Sequence, residues 1–377
     1  MFEIWFWQRI VSPHMAGLAV ALARRGCKVT YVAEQAMTAD RLQQGWAVPV
    51  MPGVDLVYSG SGSTIAALIS KAPANCVHIC QGIRSNGRVA EAQRALSARG
   101  LQYWVVMETV NDSGWYGIVK RSVYRRFFHP RRKSLQGVLA IGHRTADWVT
   151  ARGMPADRVY PFAYFLPDDE MPVANSQRKL GPFRFVFAGQ LIQRKRVDWL
   201  INALAGLTDK TFELWIVGTG PEDPDLRLLA ARKLGDRVLW LGQLPLVEVP
   251  AVLSQADCLV LPSVHDGWGA VASEALMTGT PVVCSDACGV AGAVHASGAG
   301  GVFSVNDPAA LTHLLGDQVA QGTVTDKARR QLAAWATCLG ATDGADYLLE
   351  ILRSQTIGQE CHPVTPWLKE GKCLCVD

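Results

Sequence analysis

The chain has 377 residues, 49% of them apolar and 19% charged, with a formal net charge of +4. That length exceeds one small core, and the near-neutral balance excludes a global electrostatic argument for nucleic acid as a partner. No run of about 18 uninterrupted apolar residues occurs, so no membrane-spanning helix is expected.

The first ten residues, MFEIWFWQRI, are too short an apolar run and lack the charged leader of a secretory signal. The ten cysteines follow no regular spacing. Cys27, Cys76, Cys80, Cys258 and Cys284 sit in or beside strand-like runs and read as small core hydrophobes in a reducing compartment, which points to the cytoplasm.

In the first half, candidate strands fall at 2–7, 28–33, 76–80, 101–107 and 137–141, with helical patterns between them. One helical pattern, 15–25, is closed by Gly26. The segment PFAYFLPDDEMPVANSQRKLGP, 161–182, is rich in Pro and polar residues and reads as an interdomain linker. Alternation then restarts, with strands expected at 183–188, 212–217, 237–241, 257–261, 281–285 and 300–303. Helices are expected at 197–207, 224–234, 247–255, 270–278 and 307–315, followed by helical stretches near 325–338 and 343–353. The expectation is an α/β chain of two doubly wound Rossmann-like domains facing a central cleft. Its parts are a first domain 1–165, a linker 166–182, a second domain 183–320, C-terminal helices 321–354 packing across the domains, and a tail 355–377.

The richest stretch is HDGWGAVASEALMTGTP, 265–281. It follows the strand-like DCLVLPS and opens a helix. Gly267 and Gly269 let backbone approach a ligand, and amides 267–270 at a helix N-terminus suit phosphate. Glu274 lies about 6–7 Å further along the helix, where a carboxylate accepts from ribose hydroxyls. Asp266 precedes the amides and faces the sugar end of a diphosphate.

These residues resemble the signature of retaining family 4 glycosyltransferases of the GT-B fold. The signature is an acid, seven residues, then Glu; the family commonly has Glu first, and here Asp266 stands there. The resemblance extends through FVFAGQLIQRKRVDWLINAL, where Lys195 falls on the family's phosphate-binding lysine and Gly189 on its glycine loop. Gln190 replaces the usual Arg, with Arg194 or Arg196 as substitutes. IVGTGPE brings in Gly218 and Gly220. The resemblance implies a donor site of Gly189, Gln190, Arg194, Gly218, Gly220, Gly267, Trp268 and Gly269, with Lys195, Asp266 and Glu274 as the catalytic set. It implies a nucleoside-diphosphate sugar donor, retention of anomeric configuration, no metal and no cofactor. The implied setting is transfer to a glycan or lipid-linked acceptor in cell-surface polysaccharide assembly.

Other readings of the same residues stay open. Gly267-x-Gly269-x-x-Ala272 with Asp286 satisfies a dinucleotide fingerprint, although Pro262 to Asp266 separate strand and glycine. A catalytically silent sugar-binding subunit is the other alternative. Asp223-Pro224-Asp225 is either a metal pair or, more simply, an N-cap followed by a first-turn proline. Cys361, His362, Cys373 and Cys375 fit no familiar zinc spacing.

On the acceptor side the candidates are His14 in VSPHMAG, His78, Gln81 and Arg84 around VHICQG, and Glu108 in METVND. The family often has a second histidine where Cys80 stands. The segment 120–134, KRSVYRRFFHPRRKS, holds seven basic residues and no acid. Val119, Val123 and Phe127, with Tyr124 and Phe128, repeat at i+4 beside its basic face. This reads either as a peripheral contact of 119–134 with anionic membrane or as a charged helix whose stripe lies in the core.

Overall fold

A computed structural model describes residues 1–84, 86–168, 181–207, 211–357 and 362–369. Most of the expected linker, and the cysteines of the tail, lie outside the described residues. The described residues form two compact units. The first comprises Met1–Gln43, Ala47–Pro167 and Gly340–Thr365; the second Gln44–Trp46, Asp168–Leu339 and Pro366–Asp377.

The first unit holds β1 (Glu3–Ile10), β2 (Lys28–Gln35), β3 (Val54–Tyr58), β4 (Val77–Gln81), β5 (Tyr103–Glu108), β6 (Leu135–Ile141) and β7 (Val159–Phe162). They form one sheet in the order β3-β2-β1-β4-β5-β6-β7, and every neighbouring pair is parallel. Helices on the crossovers bury both faces, which is why the inner strands read as continuous apolar runs. The helix Ala341–Ile357 returns to this unit, where Tyr347 donates to the Pro161 carbonyl at 3.0 Å.

The second unit repeats the scheme with β8 (Phe183–Ala188), β9 (Phe212–Val217), β10 (Val238–Gly242), β11 (Cys258–Leu261), β12 (Val282–Ser285) and β13 (Gly300–Phe303). The order is β10-β9-β8-β11-β12-β13, again all parallel. In each sheet the winding reverses once, between β1 and β4 and between β8 and β11. Such reversal points open crevices at the carboxyl ends of parallel strands.

The two strands absent from the sequence expectation, β3 and β7, are both sheet edges. β3 has no fully buried residue, so its pattern is not that of an inner strand. β7 carries Pro161, which an edge strand tolerates because it need not donate on both sides. The expected linker therefore starts too early: Phe162, Phe165 and Leu166 are buried in the first unit. Asp223 is not an N-cap. It is the first residue of the helix Asp223–Leu234, and its carboxylate takes Arg227 Nε at 2.7 Å. His362 stacks on Tyr160, ring centroids 4.5 Å apart.

The second unit is tied at its base by a buried ion pair. Asp257 is 0% exposed and Arg329, in the helix Asp326–Ala336, is 3% exposed, with Arg329 Nη2 at 3.5 Å from Asp257 Oδ1. Asp257 also accepts from the Arg184 and Val324 amides at 2.8 and 3.2 Å. Arg329 donates to the Ala256 and Ser254 carbonyls and to Thr280 Oγ1. Removing one partner leaves a buried charge uncompensated. Arg329→Leu should lower the unfolding free energy by about 3–5 kcal/mol in urea denaturation; a loss below about 1 kcal/mol would show that the pair does not hold this helix in place.

Candidate functional site

The loops leaving β8 and β11 flank the reversal point of the second sheet, and their side chains meet there. Lys195, in the single turn Gln193–Lys195, donates from Nζ to Asp266 Oδ2. The lysine is buried and Asp266 half-buried. Arg194 Nη1 lies 3.9 Å from Asp266 Oδ1 and donates to the His265 carbonyl at 2.9 Å. The Val264 amide bonds the Arg194 carbonyl at 2.9 Å. One carboxylate thus faces two cations, and the cluster carries a net positive charge suited to an anion. Of the two substitutes for the missing cation at Gln190, Arg194 lies by Asp266, while Arg196 pairs with Asp198 at 2.6 Å.

The backbone around Asp266 is held firmly. Its amide bonds Ala287 O at 3.2 Å, and its carbonyl accepts from the Gly289 amide at 3.0 Å. Gly269 sits at φ 93° just before the helix Ala270–Met277, a conformation that favours glycine. Glu274 lies in that helix, half-buried. Trp268 is turned into the core, 2% exposed, with its indole N–H on Ser273 Oγ at 3.0 Å. Its side chain anchors the loop and is not presented to a ligand.

Gly218 and Gly220 prove to be packing glycines. A Cβ on Gly218 would stand 2.0 Å from Gly189 O, and one on Gly220 would stand 2.3 Å from Leu191 O. The Leu191 amide bonds Thr219 O at 2.9 Å. Two loops therefore lie backbone to backbone, and the turn after β9 shapes the loop that leads to Lys195.

The fingerprint alternative fares poorly. Gly267 follows the end of β11 by six positions, and Asp286 Oδ1 already accepts from the Val305 amide at 2.9 Å.

In the first unit the acceptor candidates separate. Glu108 at the end of β5 accepts from the Tyr164 hydroxyl at 2.6 Å, and the Tyr164 ring lies 5.1 Å from that of His14. Burial and then Arg41 lower His14 to a pKa of about 4, so it is a neutral group at pH 7 and not a phosphate cation. Tyr164 escaped the sequence reading because it lies in the segment taken as linker. Gln81 Oε1 accepts from the Arg9 amide at 3.0 Å and joins β4 to β1.

His78 is held inside the sheet. It is the second residue of β4 and 1% exposed; its Nδ1 accepts from Trp7 Nε1 at 3.2 Å. Cys80 is likewise fully buried. The helix Trp115–Arg131 also departs from its expected stripe. Phe128 is buried, Tyr124 packs edge-on against Trp148, and Phe127 lies under Arg131. The exposed apolar residues of this helix are Trp115, Tyr116, Ile118 and, from the expected stripe, Val119. Among the described residues, no helix is long and apolar enough to cross a membrane.

Two parallel α/β sheets of this kind define the GT-B class of fold. The chain shares it with the lipopolysaccharide outer core galactosyltransferase WaaB, at a TM-score of 0.68 and 15% identity over 95% of this chain and 100% of that one. It shares it also with Anabaena HepE, solved with UDP and glucose, at a TM-score of 0.69 and 16% identity over 94% and 100%. The segment 182–318 matches the family model of the glycosyl transferases group 1. In sequence, the 2-deoxystreptamine N-acetyl-D-glucosaminyltransferase of Streptomyces fradiae is 32% identical over 234 residues, 55% of this chain and 52% of that protein. The chain spans about half or less of the length of the curated relatives it matches first.

Burial, then Arg99, lowers His78 to a pKa of about 4, below its ordinary 6.5. The unfolded chain therefore binds more protons between those values. Stability is full above about pH 6.5 and falls as the pH drops towards about 4, with His14 acting in the same sense. Thermal midpoints measured between about pH 7 and 4.5 should fall, and His78→Gln, which keeps an acceptor for Trp7 but does not titrate, should flatten that fall. An unchanged slope would show that His78 is not held neutral.

Proposed function

We propose that the chain is a retaining, metal-independent glycosyltransferase that moves a sugar from a nucleoside-diphosphate sugar to a glycan or lipid-linked acceptor. The observation that carries this reading is the Lys195–Asp266 pair at the reversal point of the segment matching the glycosyl transferases group 1. The UDP and glucose bound by the structural neighbour HepE support the donor class. The name of WaaB supports a cell-surface setting.

In this reading the donor diphosphate lies between Lys195 and the amides of 267–270. Before the donor arrives, Asp266 compensates the buried ammonium. On binding, the phosphates share Lys195 and Arg194, and Asp266 turns to the sugar hydroxyls. As the glycosidic bond to phosphate breaks, charge builds on the leaving diphosphate, and a fixed ammonium in a dry site stabilises that charge without reorganising. Glu274 accepts from the ribose hydroxyls. In the first unit, Glu108 and its Tyr164 partner receive the acceptor's hydroxyl, with His14 as a neutral neighbour.

Lys195→Ala and Glu274→Ala should each cut turnover by at least about tenfold while leaving the thermal midpoint near that of the parent. Normal rates in both variants would reject the assignment, and strong inhibition by a chelator would replace it with a metal-dependent one.

The second part of the proposal is contact with an anionic membrane through the helix Trp115–Arg131. Trp115 and Ile118 are more than 60% exposed beside Lys120, Arg125 and Arg126. Aromatic and aliphatic side chains flanked by cations suit an anionic interface. The full chain should float with phosphatidylglycerol vesicles at low salt, and a Trp115→Ser, Ile118→Ser double variant should not; equal flotation of the two would remove this surface from the account.

A further inference from the structure

A groove of about 510 Å³ runs between the helices Val89–Ala98 and Trp115–Arg131 of the first unit. Three arginines line it: Arg84, Arg94 and Arg131. None of them forms an ion pair with a described carboxylate. Arg84 and Arg131 lie over the Phe127 ring, 5.7 and 4.6 Å from its centroid, so that ring holds two guanidinium groups in place. Arg94 donates only to a carbonyl of its own helix, Ala90 O at 3.3 Å. Three like charges gathered without a counter-charge repel one another, and an anion seated among them relieves that repulsion.

Asn86 lines the same groove and is 4% exposed. Both hydrogens of its amide nitrogen are used, on Gln81 O at 2.9 Å and Gly82 O at 3.1 Å, which pins the backbone beside Arg84.

The arginines ask for an anion with several oxygens, since a guanidinium fork matches phosphate geometry. The volume falls within the range of small-molecule sites. We propose that this groove binds a phosphate monoester, at a site separate from Lys195 and Asp266.

The full chain tests this with two probes, because such an ester can be a soluble polyol phosphate or a lipid headgroup. Calorimetric titration with sn-glycerol 3-phosphate, run in excess UDP, reads the soluble source. Flotation on phosphatidic acid vesicles, against phosphatidylglycerol vesicles of equal charge density, reads the headgroup; attachment through Trp115 and Ile118 would not distinguish these two lipids. Specific binding in either arm is expected, weakened at least about tenfold by Arg94→Glu. Arg94 is exposed, so its replacement leaves the fold intact. Lys195→Ala should leave the affinity unchanged, which separates this site from the donor loop. Binding in neither arm, or binding indifferent to Arg94→Glu, would overturn the proposal.

Discussion

The Lys195 ammonium and the Asp266 carboxylate meet where the second sheet reverses its winding, and much of the surrounding backbone exists to hold them there. A buried lysine is costly unless a partner neutralises it. The partner sits on a loop that cannot drift: Asp266 is bonded through both its amide and its carbonyl to the turn after β12. The lysine loop is equally constrained, lying against the glycine turn after β9 with no room for a single Cβ. Parallel strands supply the rigid base, since β8 and β11 are adjacent and buried on both faces.

The first unit uses the same strand architecture for different chemistry. Its reversal point lies between β1 and β4, and the groups near its strand ends are neutral or hydrogen-bonded to one another. His14, lowered to a pKa of about 4, lies beside Tyr164, which is bonded to Glu108. Three cations without a carboxylate partner among the described residues gather elsewhere, in the groove lined by Arg84, Arg94 and Arg131. A charged arginine cluster beside neutral, buried histidines is a division that composition alone does not reveal.

The sequence was most legible where burial is complete. The inner strands of both sheets follow from apolar runs, and the loop before Glu274 from its glycines; Lys195 stands out only through the family resemblance, and its pairing with Asp266 is not legible in the sequence. Edge strands were not legible: β3 lacks buried residues and β7 carries a proline. Side-chain direction was also hidden. The i+4 pattern of Tyr124 and Phe128 fits a core-facing stripe as well as a membrane-facing one, and Trp148 decides for the core. Trp268 stands in the middle of a ligand-like motif yet points inward, because Ser273 offers its indole a partner. His78 was attractive as a polar residue near a strand end, but its register opposite Trp5 in β1 puts it inside the sheet. Gly218 and Gly220 look like a phosphate loop in sequence; in three dimensions a neighbouring backbone explains them.

The central claim is that Lys195 exchanges a carboxylate for a diphosphate. A crystal structure of the full chain with a bound nucleoside diphosphate tests it most directly. The account predicts a phosphate oxygen within about 3 Å of Lys195 Nζ and of an amide between 267 and 270, with Asp266 released. A nucleotide bound elsewhere, or a lysine still locked on Asp266 with no phosphate beside it, would contradict it.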